Sequence, residues 1–156
     1  KMGIMPASLF KPGRIGIISR SGTLAYEMAG ILSNEGYGQS TVVGNGADPV
    51  TLTTLTMILK HFEDDPDTDG VVIVGEVGGS QEEEAAKFIA KSIKKPIGAY
   101  IAGRFAPEGK RMGHAGAIIR GSQGTFESKQ KAFRAANVEI LNTPIEVIKW
   151  AKKIST

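Results

Sequence analysis

The chain has 156 residues, with 19 Lys and Arg against 16 Asp and Glu, for a formal charge of +3. That length makes one domain with its own core, and 41% hydrophobic with 22% charged residues excludes a disordered or fibrous chain. No stretch reaches the roughly 18 apolar residues of a membrane span, and residues 1–10 do not read as a secretory leader. The absence of cysteine rules out a disulfide framework, a thiolate zinc site and a cysteine nucleophile, and is compatible with a reducing compartment. A weak positive charge with six Phe, three Tyr and one Trp argues against a nucleic-acid surface.

Residues 1–13 carry Gly3, Pro6, Pro12 and Gly13 and read as a linker remnant from something upstream. From residue 14 to 156 short β-branched runs alternate with helical stretches. Residues 14–18 form a predicted strand, 22–34 a helix closed near Gly36, 39–44 a strand and 52–62 a helix. An acidic turn follows at 63–67. Residues 70–75 form an uninterrupted apolar strand, the pattern of burial on both faces. A helix over 81–91 has three Glu in its first turns and Lys near its end, which complements its macrodipole. Further strands are predicted at 96–100 and 137–141, with helices at 125–136 and 144–153, the last with Pro144 in its first turn. Strand–helix alternation gives an α/β fold, a doubly wound, flavodoxin-like parallel sheet of about five strands with helices on both faces. Ligands of such sheets bind beyond the carboxyl ends of the strands, here residues 19–23, 44–50, 75–80, 101–116 and Asn142.

The chain holds 20 glycines, well above the usual share of about 7%, and they gather in those loops. Backbone without side chains lets a ligand approach closely. Ser19-Arg20-Ser21-Gly22-Thr23 joins a buried strand to a helix, a place where free amides and the helix dipole attract an anion. The same geometry fits Ser21 as a simple helix cap, and it is not a Walker A loop. Glu76, after a run of Val and Ile and before Gly78 and Gly79, reads as a functional carboxylate; the alternative is a buried partner of an arginine. Ser80 and Glu83 have the spacing of a capping box, so Ser80 reads as structural.

Residues 104–117 are the most unusual stretch. His114 stands among Gly113, Ala115, Gly116 and Ala117, small neighbours that leave an imidazole accessible, and Lys110 and Arg111 make the loop cationic. His61, before an acidic turn, fits the end of a helix. An anion-binding turn, a carboxylate and a histidine thus fall on one sheet edge. Histidine can be a covalent nucleophile, with a carboxylate holding one ring nitrogen protonated.

At three stretches, Lys11 to Leu24, Gly75 to Ala85 and Lys110 to Ile118, the sequence resembles the C-terminal ligase domain of the succinyl-CoA synthetase α subunit and its acyl-CoA relatives. The resemblance implies a nucleoside-triphosphate-dependent acid–CoA ligase of the tricarboxylic acid cycle type, present here as a partial catalytic unit. His114 would carry the phosphoryl group and Glu76 would orient it. Ser21, Gly22 and Thr23 would receive the phosphate, and Tyr26 matches a position associated with the acid substrate. It implies no cofactor bound by this domain itself, with CoA and Mg-nucleotide, ATP or GTP, used by the complete enzyme. The implied partners are an ATP-grasp β subunit, a CoA-binding domain and a carboxylic acid, with no metal on this domain, no nucleic acid and no membrane. The implied location is the cytoplasm, or the mitochondrial matrix in a eukaryote. The second strand–helix turn, Asn45-Gly46-Ala47-Asp48-Pro49, departs from the family's usual Gly-Gly-Asp-Pro, which leaves succinate, citrate and malate open.

Two other functions compete. Ser21, Glu76 and His114 follow the chain order of an α/β-hydrolase triad, but Ser19 and Thr23 stand where the Gly-x-Ser-x-Gly elbow has glycines. A non-catalytic, anion-binding flavodoxin-like interaction module would share the fold, and His114 is the residue that discriminates.

Overall fold

The computed structural model describes residues 2–155. Five strands form one sheet: β1 (Pro12–Ser19), β2 (Gln39–Gly44), β3 (Gly70–Glu76), β4 (Ile97–Ala102) and β5 (Glu139–Leu141). Their order is β2-β1-β3-β4-β5 and every pairing is parallel. This is the flavodoxin-like winding expected from the strand–helix alternation, with the change of direction between β1 and β3.

Side-chain alternation along the strands divides the core in two. Ile15, Ile17, Val72 and Val74 face α1 (Gly22–Asn34) and α5 (Val147–Ile154), where Met28, Leu32, Val147 and Trp150 cover them. Ile18, Val71 and Ile73 face the other way, onto Leu55, Leu59 and Phe62 of α2 (Leu55–Asp64), Ile89 of α3 (Gln81–Ser92) and Phe133 of α4 (Phe126–Ala135). Every residue of β3 is buried, as its unbroken apolar run requires. Two strand glycines make room for large rings: a Cβ at Gly16 would lie 2.5 Å from the Phe62 ring, and one at Gly98 would lie 3.1 Å from Trp150. At roughly 25 cal/mol per Å2 of apolar surface, burying such rings is the main drive to closure.

The differences from expectation lie at element ends. β1 begins at Pro12, so Pro12 and Gly13 belong to the sheet, with Pro12 beside Gln39. α2 starts at Leu55 because Thr54 caps it by accepting the Met57 amide. β5 starts only at Glu139, since Asn137 takes a left-handed turn at φ 59° that ends α4. A 3-10 turn, Pro144–Glu146, precedes α5. The predicted capping box does not form. Ser80 makes no capping bond and its hydroxyl donates to Glu84, while Glu83 is drawn sideways to Ser128 and Lys129.

Candidate active site

The carboxyl ends of β1 and β3 lie side by side, with Ser19 opposite Val74. Beyond Ser19, Ser21 caps α1 by accepting the Leu24 amide at 3.3 Å. Among the described residues the amides of Gly22 and Thr23 have no partner, as befits a first helical turn. Gly22 and Thr23 are exposed, so this turn opens to solvent.

β3 delivers Glu76 at its last position, and the chain then turns through Gly78 at φ 89° and Gly79 at φ 62°. The long β4–α4 connection comes back over this turn. Its Gly116 amide donates to the Ala47 carbonyl at 2.8 Å, and the Gly78 amide donates to Gly124 at 2.7 Å. A Cβ on Gly78 would stand 2.2 Å from the Gly116 carbonyl oxygen, so the approach is possible only without a side chain.

That packing sets His114 over Glu76. Nδ1 lies 2.6 Å from Glu76 Oε2; the carboxylate side chain is 8% exposed and the imidazole 44%. A carboxylate accepts and the ring nitrogen donates, so the contact places the ring proton on Nδ1 and leaves a lone pair on Nε2. Among the described residues Nε2 has no hydrogen-bond partner. The pair joins an accessible nucleophilic nitrogen to a buried orienting group.

Behind Glu76 stands a set of buried charges. Arg20 Nη2 lies 3.4 Å from Glu76 Oε1, and Arg20 Nη1 donates to Glu82 Oε1 at 3.0 Å and to the Gly78 carbonyl at 2.9 Å. Lys129 on α4, fully buried, donates to Glu82 Oε2 at 2.5 Å and to Glu83 Oε2 at 2.9 Å. Burial pushes the Glu83 carboxyl up, but the Lys129 charge and hydrogen bonds from Ser128 and Lys129 outweigh it and hold the group below its ordinary value. Breaking one partner out of such a set costs about 3–5 kcal/mol.

The two readings of Glu76 thus coincide: it meets both a histidine and an arginine. The two readings of Ser21 are not separated by its capping bond. No hydrogen bond joins Ser21 to His114 among the described residues, which deprives a serine triad of its central contact. Tyr26 is half-buried on the second turn of α1 and makes no hydrogen bond to Glu76 or His114. Asn142 bonds to Glu146 instead of facing these loops. A cleft of about 360 Å3 runs beside the histidine loop, bordered by Arg20, Asp48, Gly79, Ala115 and Arg120. Arg20, Glu82 and Lys129 carry no motif of their own. Their signal is position, since Glu82 falls on the helix stripe of Ala85, Ala86 and Ile89, and Lys129 falls between Phe126 and Phe133.

A parallel α/β sheet with a histidine–carboxylate pair at its switch point defines a class, and a profile of the CoA-ligase family matches residues 18–139. The chain belongs to the CoA-ligase family. It is 54% identical over 153 residues to the α subunit 2 of an ADP-forming succinate–CoA ligase from Archaeoglobus fulgidus, covering 98% of this chain and 53% of that one. The corresponding α subunit of Aquifex aeolicus is 50% identical over 154 residues, covering 99% of this chain and 50% of that one. The chain therefore spans about half the length of the curated relatives it matches. Among solved structures, an ATP citrate lyase from Methanosaeta concilii in complex with (3S)-citryl-CoA superposes with a TM-score of 0.85 at 26% identity, covering 92% of this chain and 24% of that one. Among the described residues no helix is long and apolar enough to cross a membrane.

Proposed function

We propose that this chain is the phosphohistidine-bearing part of a nucleoside-triphosphate-dependent acid–CoA ligase of the succinate–CoA ligase type. The observation that carries the reading is the 2.6 Å contact between buried Glu76 and the Nδ1 of an exposed His114. With Nδ1 protonated, the Nε2 lone pair attacks the terminal phosphorus of the nucleotide. The P–N bond forms as the bond to the diphosphate leaving group breaks. The acid's carboxylate then attacks that phosphorus, the P–N bond breaks, and the ring recovers its lone pair. CoA thiol displaces phosphate from the resulting acyl phosphate.

In this scheme Glu76 stabilises the transient positive charge on the ring, and the free amides of Gly22 and Thr23 with the Ser21 hydroxyl receive the phosphoryl oxygens. Tyr26 borders the acid. In this reading the magnesium and nucleotide are held by the partner, an ATP-grasp β subunit, and CoA by a separate CoA-binding domain. The names of the relatives, succinate–CoA ligase α subunits, support a second kind of subunit as the partner. The stretch before Pro12 then leads in from the CoA-binding domain, and the chain from Pro12 onward, β1 included, forms the ligase domain.

The test is incubation with the nucleotide-binding subunit and terminally labelled ATP or GTP. Acid-labile, alkali-stable label is expected on the wild type and none on His114→Asn. Label that survives acid would place the phosphoryl group on Ser or Thr and overturn the reading.

A further inference from the structure

The buried charges behind Glu76 form a continuous chain from one side of the domain to the exposed ring. Lys129 meets Glu82, Glu82 meets Arg20, Arg20 meets Glu76, and Glu76 meets His114. The links come from four different places: α4, the start of α3, the end of β1 and the end of β3. Glu82 is the hub. One oxygen accepts from Arg20 Nη1 at 3.0 Å and from the Glu76 amide at 3.1 Å, and the other accepts from Lys129. The backbone is shaped to admit it, because a Cβ on Gly75 would lie 2.8 Å from Glu82 Oε1.

We infer that Lys129 and Glu82 are positioning residues for the histidine, acting through Arg20 on the orientation of Glu76. This rests on the phosphohistidine reading for its consequence, but its geometry stands apart from it. Glu76 Oε1 is buried and makes no hydrogen bond; Arg20 Nη2 holds it by charge alone. Which oxygen faces His114 is therefore set by where the guanidinium lies. The guanidinium is in turn fixed by Glu82 and by the Gly78 carbonyl. Two carboxylates, Glu82 and Glu83, adjoin each other in sequence, and Lys129 is the cation that balances both. Without it, Glu82 would have Arg20 as its one remaining cation among the described residues and would pull it away from Glu76, and Oε2 would lose its register on Nδ1. A bond chain running from α4 to the ring makes the Lys129 charge, and not the apolar packing of its helix, a condition for the nucleophile's tautomer.

The test compares Lys129→Met with the double variant Lys129→Met/Glu82→Gln, whose amide oxygen keeps the bonds to Arg20 and to the Glu76 amide without needing a cation. Phe133→Leu serves as control, since it loosens α4 against the sheet and touches no charge. Two readouts are taken on each: the tautomer of His114 from ring 15N shifts, and the rate of labelling by nucleotide with the partner subunit. Lys129→Met is expected to mix the tautomers and to slow labelling about 10–100-fold. The double variant should return to within about threefold of wild type, and Phe133→Leu should keep the single tautomer while lowering the melting temperature. If Lys129→Met fails to fold, Glu82→Leu against Glu82→Gln makes the same comparison, with loss expected only for Leu. Equal behaviour of Lys129→Met and Phe133→Leu, or no rescue by the neutral amide, would overturn the inference. A tautomer that responds as described in a chain that takes no label would leave the positioning role standing and remove the phosphohistidine reading instead.

Discussion

At the scale of single residues, Gly78 decides how near the histidine loop comes to the sheet. Its φ of 89° is one that L side chains rarely adopt, and a methyl group there would collide with Gly116 and Ile118. Gly78→Ala is expected to cost about 2 kcal/mol or more in denaturant unfolding and to abolish labelling of His114. A variant that kept both would show that the loop reaches Glu76 by another path. His114 and Glu76 were legible in the sequence because each breaks its local pattern, a histidine among small residues and a carboxylate after an apolar run. Arg20, Glu82 and Lys129 were not picked out, because the one local signal, a charge on an apolar stripe at Glu82 and Lys129, acquires a meaning only when its counter-charge is seen beside it.

At the scale of elements, the start of α1 has two duties that one substitution set can separate. Ser21 accepts the Leu24 amide through its side chain, whereas anion binding by Gly22 and Thr23 would use backbone alone. Ser21→Ala should lower stability by about 1 kcal/mol, and Ser21→Gly by only a few tenths. Phosphate binding, followed by amide shifts at residues 22 and 23, should weaken several-fold in Ser21→Gly without vanishing, since the two amides remain. Unchanged binding there would remove the hydroxyl from the phosphate site and leave it a cap alone. The failed capping box at Ser80 carries the complementary lesson. The four-residue pattern was present, but Glu83 found a stronger partner in Lys129 on another helix. A charge-assisted bond inside the domain outweighs a local cap.

At the scale of the whole molecule, α3 and α4 are tied together by ions as well as by packing, so acid should loosen this side first. Glu83 has a lowered carboxyl value in the folded chain, so its contribution is complete above the unfolded value of about 4.3. It is lost as pH falls through the lower folded value. Between about pH 5 and about pH 3 the melting temperature of wild type should therefore fall further than that of Glu83→Gln. Equal slopes for the two proteins would deny the Lys129–Glu83 pair any part in acid sensitivity. The loss should appear in hydrogen exchange of α4 before that of β3, which is buried throughout.

Hydrophobic periodicity determined which strands and helices form and their parallel winding, though not their ends, because each element must hide its apolar face and parallel crossovers have one favoured hand. The loops that carry the candidate chemistry followed from the same pattern. The tertiary structure alone decided that Glu76 touches His114, that Arg20 stands between two carboxylates, and that a lysine on α4 balances them. These contacts join residues 38, 62 and 47 positions apart in the chain. Local sequence has no physical means of expressing such distances, since each contact depends on how separate layers pack.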